Sequence, residues 1–313
     1  MQQRMLGASG PSVTLVGLGC NNFGRRTDLE TSRKVIHKAL ELGINLFDTA
    51  DIYGGYGGSE TILGETLGGR RKDIILATKF GMAMNQEGTL KGASRSYILS
   101  SVEGSLRRLQ TDWIDLYQIH EPDPLTPIEE TLRALEDLIQ QGKVRWIGSS
   151  NFPAWQVVEA QWTARHNDLQ GFICCQDEYS LLVRDAEREL LPAMKAYALT
   201  LLPYFPLASG LLTGKYRRDR MPTGARLTSP SPFRGRFLTE ANWQMVESLQ
   251  EFCQQRGRTL LELAMSWLAA QPLVSSIIAG ATDPEQVEQN VRAVEWALTP
   301  EELAEVDRIT KKS

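Results

Sequence analysis

This 313-residue chain has little of what builds disulfides, metal centres or membrane anchors. Four cysteines (Cys20, Cys174, Cys175 and Cys253) are too few for a disulfide scaffold at this length. Cys174 and Cys175 are neighbours and no Cys-x-x-Cys or Cys-x-x-His spacing occurs, so no zinc site is expected. The only histidines are His37, His120 and His166. Two of them fall in segments of helical spacing, which leaves a metal-dependent hydrolase without ligands. A basic excess is missing as well: 34 Lys and Arg against 38 Asp and Glu give a net charge of −4. That excludes the electrostatic footprint of nucleic-acid or anionic-membrane binding. The longest uncharged run, 263–282, has the twenty residues of a membrane span. Gln271-Pro272 and Ser275-Ser276 interrupt it, so it reads as a helix end, a turn and a strand. Residues 1–10 carry Arg4 without an apolar run behind it, unlike a signal peptide. The sparse cysteines fit a reducing cytoplasm.

What remains is ordinary for a globular protein, with 42% hydrophobic and 23% charged residues. Eight short apolar, β-branched-rich runs recur along it, at 13–20, 44–50, 73–79, 114–120, 144–149, 171–176, 199–203 and 275–280. None alternates with period two, as expected of strands buried on both faces. Between them lie helical segments with start signals. Thr27 to Glu30, Thr126 to Glu129, Thr259 to Glu262 and Thr299 to Glu302 have the form of capping boxes, the second and fourth with Pro at the first helical position. Asp283-Pro284 opens another helix. Ile128, Leu132, Leu135, Leu138 and Ile139 form one apolar stripe, and Gly142 stops that helix; Val35, Ile36, Ala39 and Leu40 repeat the arrangement earlier.

Strands alternating with helices imply a parallel sheet, and eight such units close into an α/β fold, the (β/α)8 TIM barrel. The rival, a doubly wound dinucleotide-binding sheet, lacks its fingerprint. Gly17-x-Gly19 is followed by Asn22, and Gly55-x-Gly57 by Glu60, where the third Gly belongs. Residues 1–313 are therefore expected to form a single domain, with a small N-terminal β-hairpin turning at Ala8-Ser-Gly-Pro11 over one mouth. The long segment 208–239, rich in Gly, Pro, Ser and Arg, reads as a functional loop.

Barrel active sites lie at the C-terminal ends of the strands. Three neighbouring runs end in Asp48 and Tyr53, in Lys79, and in His120. A tyrosine with a pKa of about 10 is a poor proton donor near neutrality. An adjacent ammonium is expected to lower that pKa, a carboxylate to hold the ammonium, and an imidazole to orient a carbonyl oxygen. No nucleophile is implied, since Ser149 and Ser150 lack a Gly-x-Ser-x-Gly elbow.

Phe47-Asp-Thr-Ala-Asp-Ile-Tyr-Gly54, Thr78-Lys79-Phe80 and Gln118-Ile-His-Glu-Pro122 resemble the Asp/Tyr/Lys/His tetrad of the aldo-keto reductases. The resemblance runs to the end of the chain. It implies hydride transfer from a reduced nicotinamide cofactor to an aldehyde or ketone, with Asp48, Tyr53, Lys79 and His120 as the catalytic set. In Gly148-Ser-Ser-Asn-Phe152, Ser150 and Asn151, with Gln176 beside them, match residues that hold the nicotinamide carboxamide. Tyr204, opening Tyr-Phe-Pro-Leu-Ala-Ser-Gly210, matches the aromatic that stacks on its ring. The Gly210-Leu-Leu-Thr-Gly-Lys-Tyr216 stretch resembles the loop over the pyrophosphate. It is no P-loop, having Ser209 for the first Gly and Tyr216 after Lys215. Gly19, Cys20, Asn21, Asp48, Phe205, Pro206, Leu207, Ala208, Leu212, Gln289 and Asn290 join the implied cofactor set.

The segment from Gly280 to Asn290 is similar to the adenosine-phosphate site, where a helix N-terminus faces a phosphate. Gly280 and Gln286 stand where other members place Lys and Arg, and Asp283 adds a negative charge. Thr282, Gln286 and Arg226 instead match the branch that includes the potassium-channel β subunits. The resemblance therefore implies NADP(H) in preference to NAD(H). Asn22, Phe23, Phe80, Met82 and the 208–239 loop, with Tyr53 and His120, are expected to line an open, partly apolar substrate pocket. The implied partner is a small carbonyl compound, with no nucleic acid and no membrane; no motif encodes a particular carbonyl or an oligomeric state. A second class, a cofactor-loaded regulatory or channel-associated subunit, is implied by the same branch, although all four tetrad positions are filled.

Overall fold

A computed structural model describes residues 1–228 and 233–311. Residues 229–232 of the predicted loop and 312–313 of the predicted domain lie outside the described residues. An antiparallel hairpin comes first, β1 (Gln3–Met5) with β2 (Ser12–Thr14). Eight parallel strands follow: β3 (Val16–Gly19), β4 (Leu46–Asp48), β5 (Ile75–Phe80), β6 (Ile114–Ile119), β7 (Val144–Ser150), β8 (Cys174–Glu178), β9 (Thr200–Tyr204) and β10 (Ile277–Gly280). Their sheet order runs from β10 and β3 consecutively to β9. Leu201 of β9 bridges Val274, just before β10, through Leu201 N to Leu273 O at 2.7 Å and Ser275 N to Leu201 O at 3.0 Å. The ring so closed is the (β/α)8 barrel expected from the sequence, each of the eight runs holding one barrel strand.

Two apolar layers explain why the runs lack alternation. Leu46, Ala77, Leu116, Cys174, Leu202 and Ile278 fill the lower barrel interior. Leu76, Tyr117, Ile147, Cys175 and Leu201, one residue out of phase, pack under the helices. Leu6 and Val13 complete the inner layer from the hairpin, which therefore plugs the N-terminal mouth. Arg4 ties it there: its guanidinium donates to the carbonyls of Ala269 (2.5 Å), Val274 (2.6 Å) and Gln271 (3.3 Å). The run 13–20 thus divides between hairpin and barrel at Leu15, whose N–H bonds Gln2 O while its carbonyl bonds Ile277 N.

Two of the four predicted capping boxes form, at Thr259/Glu262 and Thr299/Glu302. The other two do not. Asp28 accepts from Thr31 N (2.8 Å) and caps the first barrel helix, while the Thr27 hydroxyl lies 2.8 Å from that of Ser32. The Thr126 hydroxyl donates to Asp123 (2.7 Å), and Pro127 becomes the residue before helix Ile128–Gln140 rather than its first. In both cases a competing hydroxyl or carboxylate captured the threonine. Asp283 caps Pro284–Arg292 as expected. Among the described residues no helix is long and apolar enough to cross a membrane; residues 263–282 divide into the end of helix Leu260–Ala269, a turn and β10.

Candidate active site

Side chains alternate along each strand, so every second residue near a strand's end meets the upper barrel interior. β4 pairs Asp48 with Ala77 of β5, and two residues later Lys79 pairs with Gln118 of β6. Asp48, Lys79 and Gln118 therefore point inward together. The Lys79 ammonium donates to Asp48 Oδ2 (2.7 Å) and Thr49 O (2.8 Å), and both side chains are buried, 0% and 4% exposed. Gln176 and Gln118 donate to the other oxygen of Asp48 at 2.8 and 3.3 Å. These amides fix the carboxylate's orientation, and Gln118 is a contributor that the sequence reading did not assign.

Tyr53 sits above this pair, with Lys79 Nζ 5.1 Å from its ring centroid. The chain reaches that position through a sharp turn at Gly54, whose φ is +74°. A Cβ there would meet Ser59 N at 2.6 Å and Phe23 O at 2.7 Å, so only glycine fits. His120 meets the Tyr53 ring edge-on, with centroids 5.6 Å apart and an angle of 82°. Its carbonyl accepts from Asn151 Nδ2 (2.9 Å), and its buried Nδ1 has no partner among the described residues.

Burial and the Lys79 charge push His120 down to about 3, leaving a neutral imidazole. Burial pushes the Tyr53 phenol up; Lys79 pulls it down and Asp48 pushes it up, and the balance stays above the ordinary value. This corrects the expectation of a net lowering: the ammonium acts in the expected direction but desolvation outweighs it. Burial also opposes the Lys79 charge, yet Asp48 and Tyr53 outweigh it and raise Lys79. Near neutrality the cluster is a protonated phenol over a paired ammonium.

A cavity of about 710 Å³ opens from this cluster along the C-terminal mouth toward β10. It is lined by the predicted Gly19, Cys20, Asn21, Asn22, Asp48, Tyr53, Met82, His120, Ser150, Asn151, Gln176, Tyr204, Phe205, Pro206, Leu207, Gly210, Lys215, Arg226, Gly280, Thr282, Gln286, Gln289 and Asn290. Four predicted lining residues lie elsewhere. Phe80 follows inward-facing Lys79 and so points outward, its ring 4.6 Å from that of Tyr117. Phe23 is enclosed in the same outer core. Ala208 and Leu212 occupy the core-facing side of the 3-10 segment Ala208–Thr213. Ser209, Thr213 and Phe233 line the cavity from the 208–239 loop, and Arg26, Leu261, Ile278 and Ala279 line it without having been singled out. Arg26 was legible as a cation just beyond a strand end. Ser209 faces the cavity because its φ is +57°, a backbone choice that residue type does not reveal.

The cavity's two ends differ chemically. At the tetrad end Tyr204 donates to Asn151 Oδ1 (2.7 Å), and Asn151 Nδ2 donates to Ser150 Oγ (3.0 Å). At the far end the cations crowd. Burial lowers Lys215 and Arg226, with further lowering from Arg26. Mutually repelling cations around a cavity are a receptor for anions. Arg226 Nη2 donates to Asn22 Oδ1 (3.1 Å), and Asn22 Nδ2 to Ala281 O (3.2 Å), which brings the guanidinium beside Gly280. The Ser209 hydroxyl is buried without a partner among the described residues. A Cβ on Gly280 would approach Asn22 Nδ2 to 3.2 Å, so this glycine keeps the floor open. Gln286 accepts from Thr282 N (3.0 Å) and donates to Asp283, closing the helix N-terminus. Among the described residues, no three His, Cys, Asp or Glu side chains group as metal ligands.

The profile described as the Aldo/keto reductase family matches residues 15–311. A probable voltage-gated potassium channel subunit beta of Oryza sativa subsp. japonica is 36% identical over 323 residues, spanning 99% of this chain and 97% of its own. Uncharacterized oxidoreductase YrpG of Bacillus subtilis (strain 168) is 37% identical, with 97% and 94% covered. L-glyceraldehyde 3-phosphate reductase of Escherichia coli (strain K12) is 34% identical, with 98% and 92% covered.

Proposed function

The chain belongs to the aldo/keto reductase family and so to the oxidoreductases, and from that premise we propose that it reduces aldehydes or ketones to alcohols using NADP(H), with NAD(H) as a weaker alternative. The observation that carries this reading is the protonated Tyr53 phenol above the buried Asp48–Lys79 pair, with neutral His120 beside it.

When bound, the reduced nicotinamide supplies a hydride to the carbonyl carbon. The protein's part is proton supply and orientation. Tyr53 donates its proton to the carbonyl oxygen as negative charge grows there, and Lys79 stabilises the phenolate left behind. Asp48 offsets the burial that opposes the Lys79 charge. His120, neutral at working pH and edge-on to the Tyr53 ring, hydrogen-bonds the same substrate oxygen. Ser150, Asn151 and Gln176 have the donors and acceptors to hold a carboxamide, and Tyr204 has the aromatic face to cover the ring. The orphaned Ser209 hydroxyl and the Lys215, Arg26 and Arg226 cations fit phosphate groups. The same reading treats residues 1–313 as one domain working on a small carbonyl in the cytoplasm.

Replacing Tyr53 with Phe is expected to preserve cofactor binding and reduce turnover about 100-fold or more, as the loss of a general acid does. Equal turnover would overturn the assignment. The Arg226→Ala substitution tests the cofactor: NADPH affinity should fall about ten- to a hundredfold through loss of a charge-assisted contact, with little change for NADH. Fluorescence titration with both dinucleotides reads the difference, and an equal loss for both removes Arg226 from the 2′-phosphate. A regulatory reading is supported by the relatives named as potassium channel subunits, at 36% and 38% identity. It predicts tight cofactor binding with turnover that is insensitive to Tyr53→Phe.

A further inference from the structure

Behind the Tyr53 turn, on the side away from the cavity, lies a second buried polar cluster. Asp51 and Glu60 are both 0% exposed. Glu60, on helix Gly58–Leu67, accepts from Thr78 Oγ1 (2.5 Å) and pairs with Arg108 Nε of helix Arg95–Leu109 (2.7 Å). Asp51 Oδ2 accepts from Ser101 Oγ (3.3 Å), which in turn accepts from the Tyr117 hydroxyl of β6 (3.3 Å). Asp51 Oδ1 is buried without a partner among the described residues. The Asp51 backbone N–H bonds the carbonyl of Lys79 (3.1 Å), and the Tyr53 N–H bonds Ala50 O (3.1 Å). The residue therefore fastens the base of the turn to the strand that carries Lys79.

We propose that Asp51 is a positioning residue for Tyr53, its buried carboxyl docking the turn through Ser101 and Tyr117 so that the phenol stays over Lys79. The inference rests on the reductase reading of Tyr53 but concerns a group that touches neither cavity nor cofactor. The charges facing Asp51 are few: Glu60 repels, Arg108 attracts, and Tyr97 and Tyr117 are neutral phenols. Arg108 is already bound to Glu60, so among the described residues a second carboxylate beside them has no counter-ion of its own. Burial, then Glu60, accordingly raise Asp51 to about 7. The sign follows. An acid raised on folding gives a contribution that is complete below the ordinary carboxylate range and is lost as pH rises through about 7. Above that pH an unpaired anion lies under the turn, and the docking that holds Tyr53 loosens.

The test uses the full chain with saturating NADPH and an activated aromatic aldehyde, comparing Asp51→Asn, which keeps the shape and never ionises, with Asp51→Ala. Wild-type kcat should fall as pH rises through about 7. Asp51→Asn should lack that fall while staying within about threefold of the wild-type rate on the acid side. Asp51→Ala should lose about tenfold or more in kcat, with cofactor Kd and aldehyde KM nearly unmoved, as misplacement of a catalytic group does. An unaltered alkaline fall in Asp51→Asn, or wild-type kcat in a folded Asp51→Ala, overturns the proposal. Should Asp51→Ala fail to fold, the Asn profile decides alone. If wild type turns over no aldehyde with either dinucleotide, the reductase reading fails instead. Asp51 is then judged by the Tyr53 phenol titration, followed by ultraviolet difference absorbance against Tyr53→Phe. A midpoint displaced in Asp51→Ala and restored in Asp51→Asn supports it; a midpoint unmoved in Asp51→Ala, or displaced equally in both, refutes it.

Discussion

Asp48 and Lys79 depend on each other more than any surface ion pair does, because both side chains are buried and, among the described residues, neither has another ion-pair partner. Removing one leaves a buried, uncompensated charge. Lys79→Met is expected to cost about 3–5 kcal/mol of stability, and the double change Asp48→Asn with Lys79→Met clearly less than that. Urea denaturation of wild type, single and double variants measures the difference; a double variant less stable than Lys79→Met contradicts this account of the pair. The four side chains were legible in the sequence because they sit at or just beyond the ends of three apolar runs, and strand ends in a barrel converge. Their protonation states were not. Whether Lys79 or burial dominates Tyr53 depends on the fraction of solvent excluded, which only the folded packing sets.

The elements show the same division. The eight strands stood out because burial on both faces removes polar residues from a run. Which face each residue takes was hidden, since a shift of one position exchanges inside for outside. Phe80 was therefore assigned to the pocket when it belongs under the helices beside Tyr117, one step beyond inward Lys79. Ala208 and Leu212 were misplaced for a related reason: left-handed residues at Ala208, Ser209 and Gly210 turn the chain so that Ser209 and Gly210, not their neighbours, face the cavity. The N-terminal hairpin was visible as a turn, but its anchorage was not, because Arg4 bonds carbonyls some 265 to 270 residues away. Those carbonyls include the end of helix Leu260–Ala269, which lacks internal donors of its own. Arg4→Ala should lower stability by about 1.5–3 kcal/mol while leaving reductase activity intact, because the hairpin closes the mouth opposite Tyr53. Thermal melts and activity on the same samples check both halves. A fall in activity without a fall in stability would mean that the two mouths are coupled.

Across the whole molecule, the barrel separates stability from chemistry: the hairpin and inner apolar layer close one end, and polar strand ends surround a cavity at the other. That cavity joins a buried phenol at one end to a cationic end at the other. In the proposed reductase both ends are used, whereas a protein that merely retained a cofactor would need the cations and not the phenol. The most direct test follows NADPH absorbance with an activated aldehyde, comparing wild type with Tyr53→Phe at matched cofactor occupancy. The account predicts oxidation of NADPH by wild type and a loss of about 100-fold or more in the variant. Equal rates in the two proteins, or a cofactor-loaded wild type that leaves NADPH unoxidised, would contradict it.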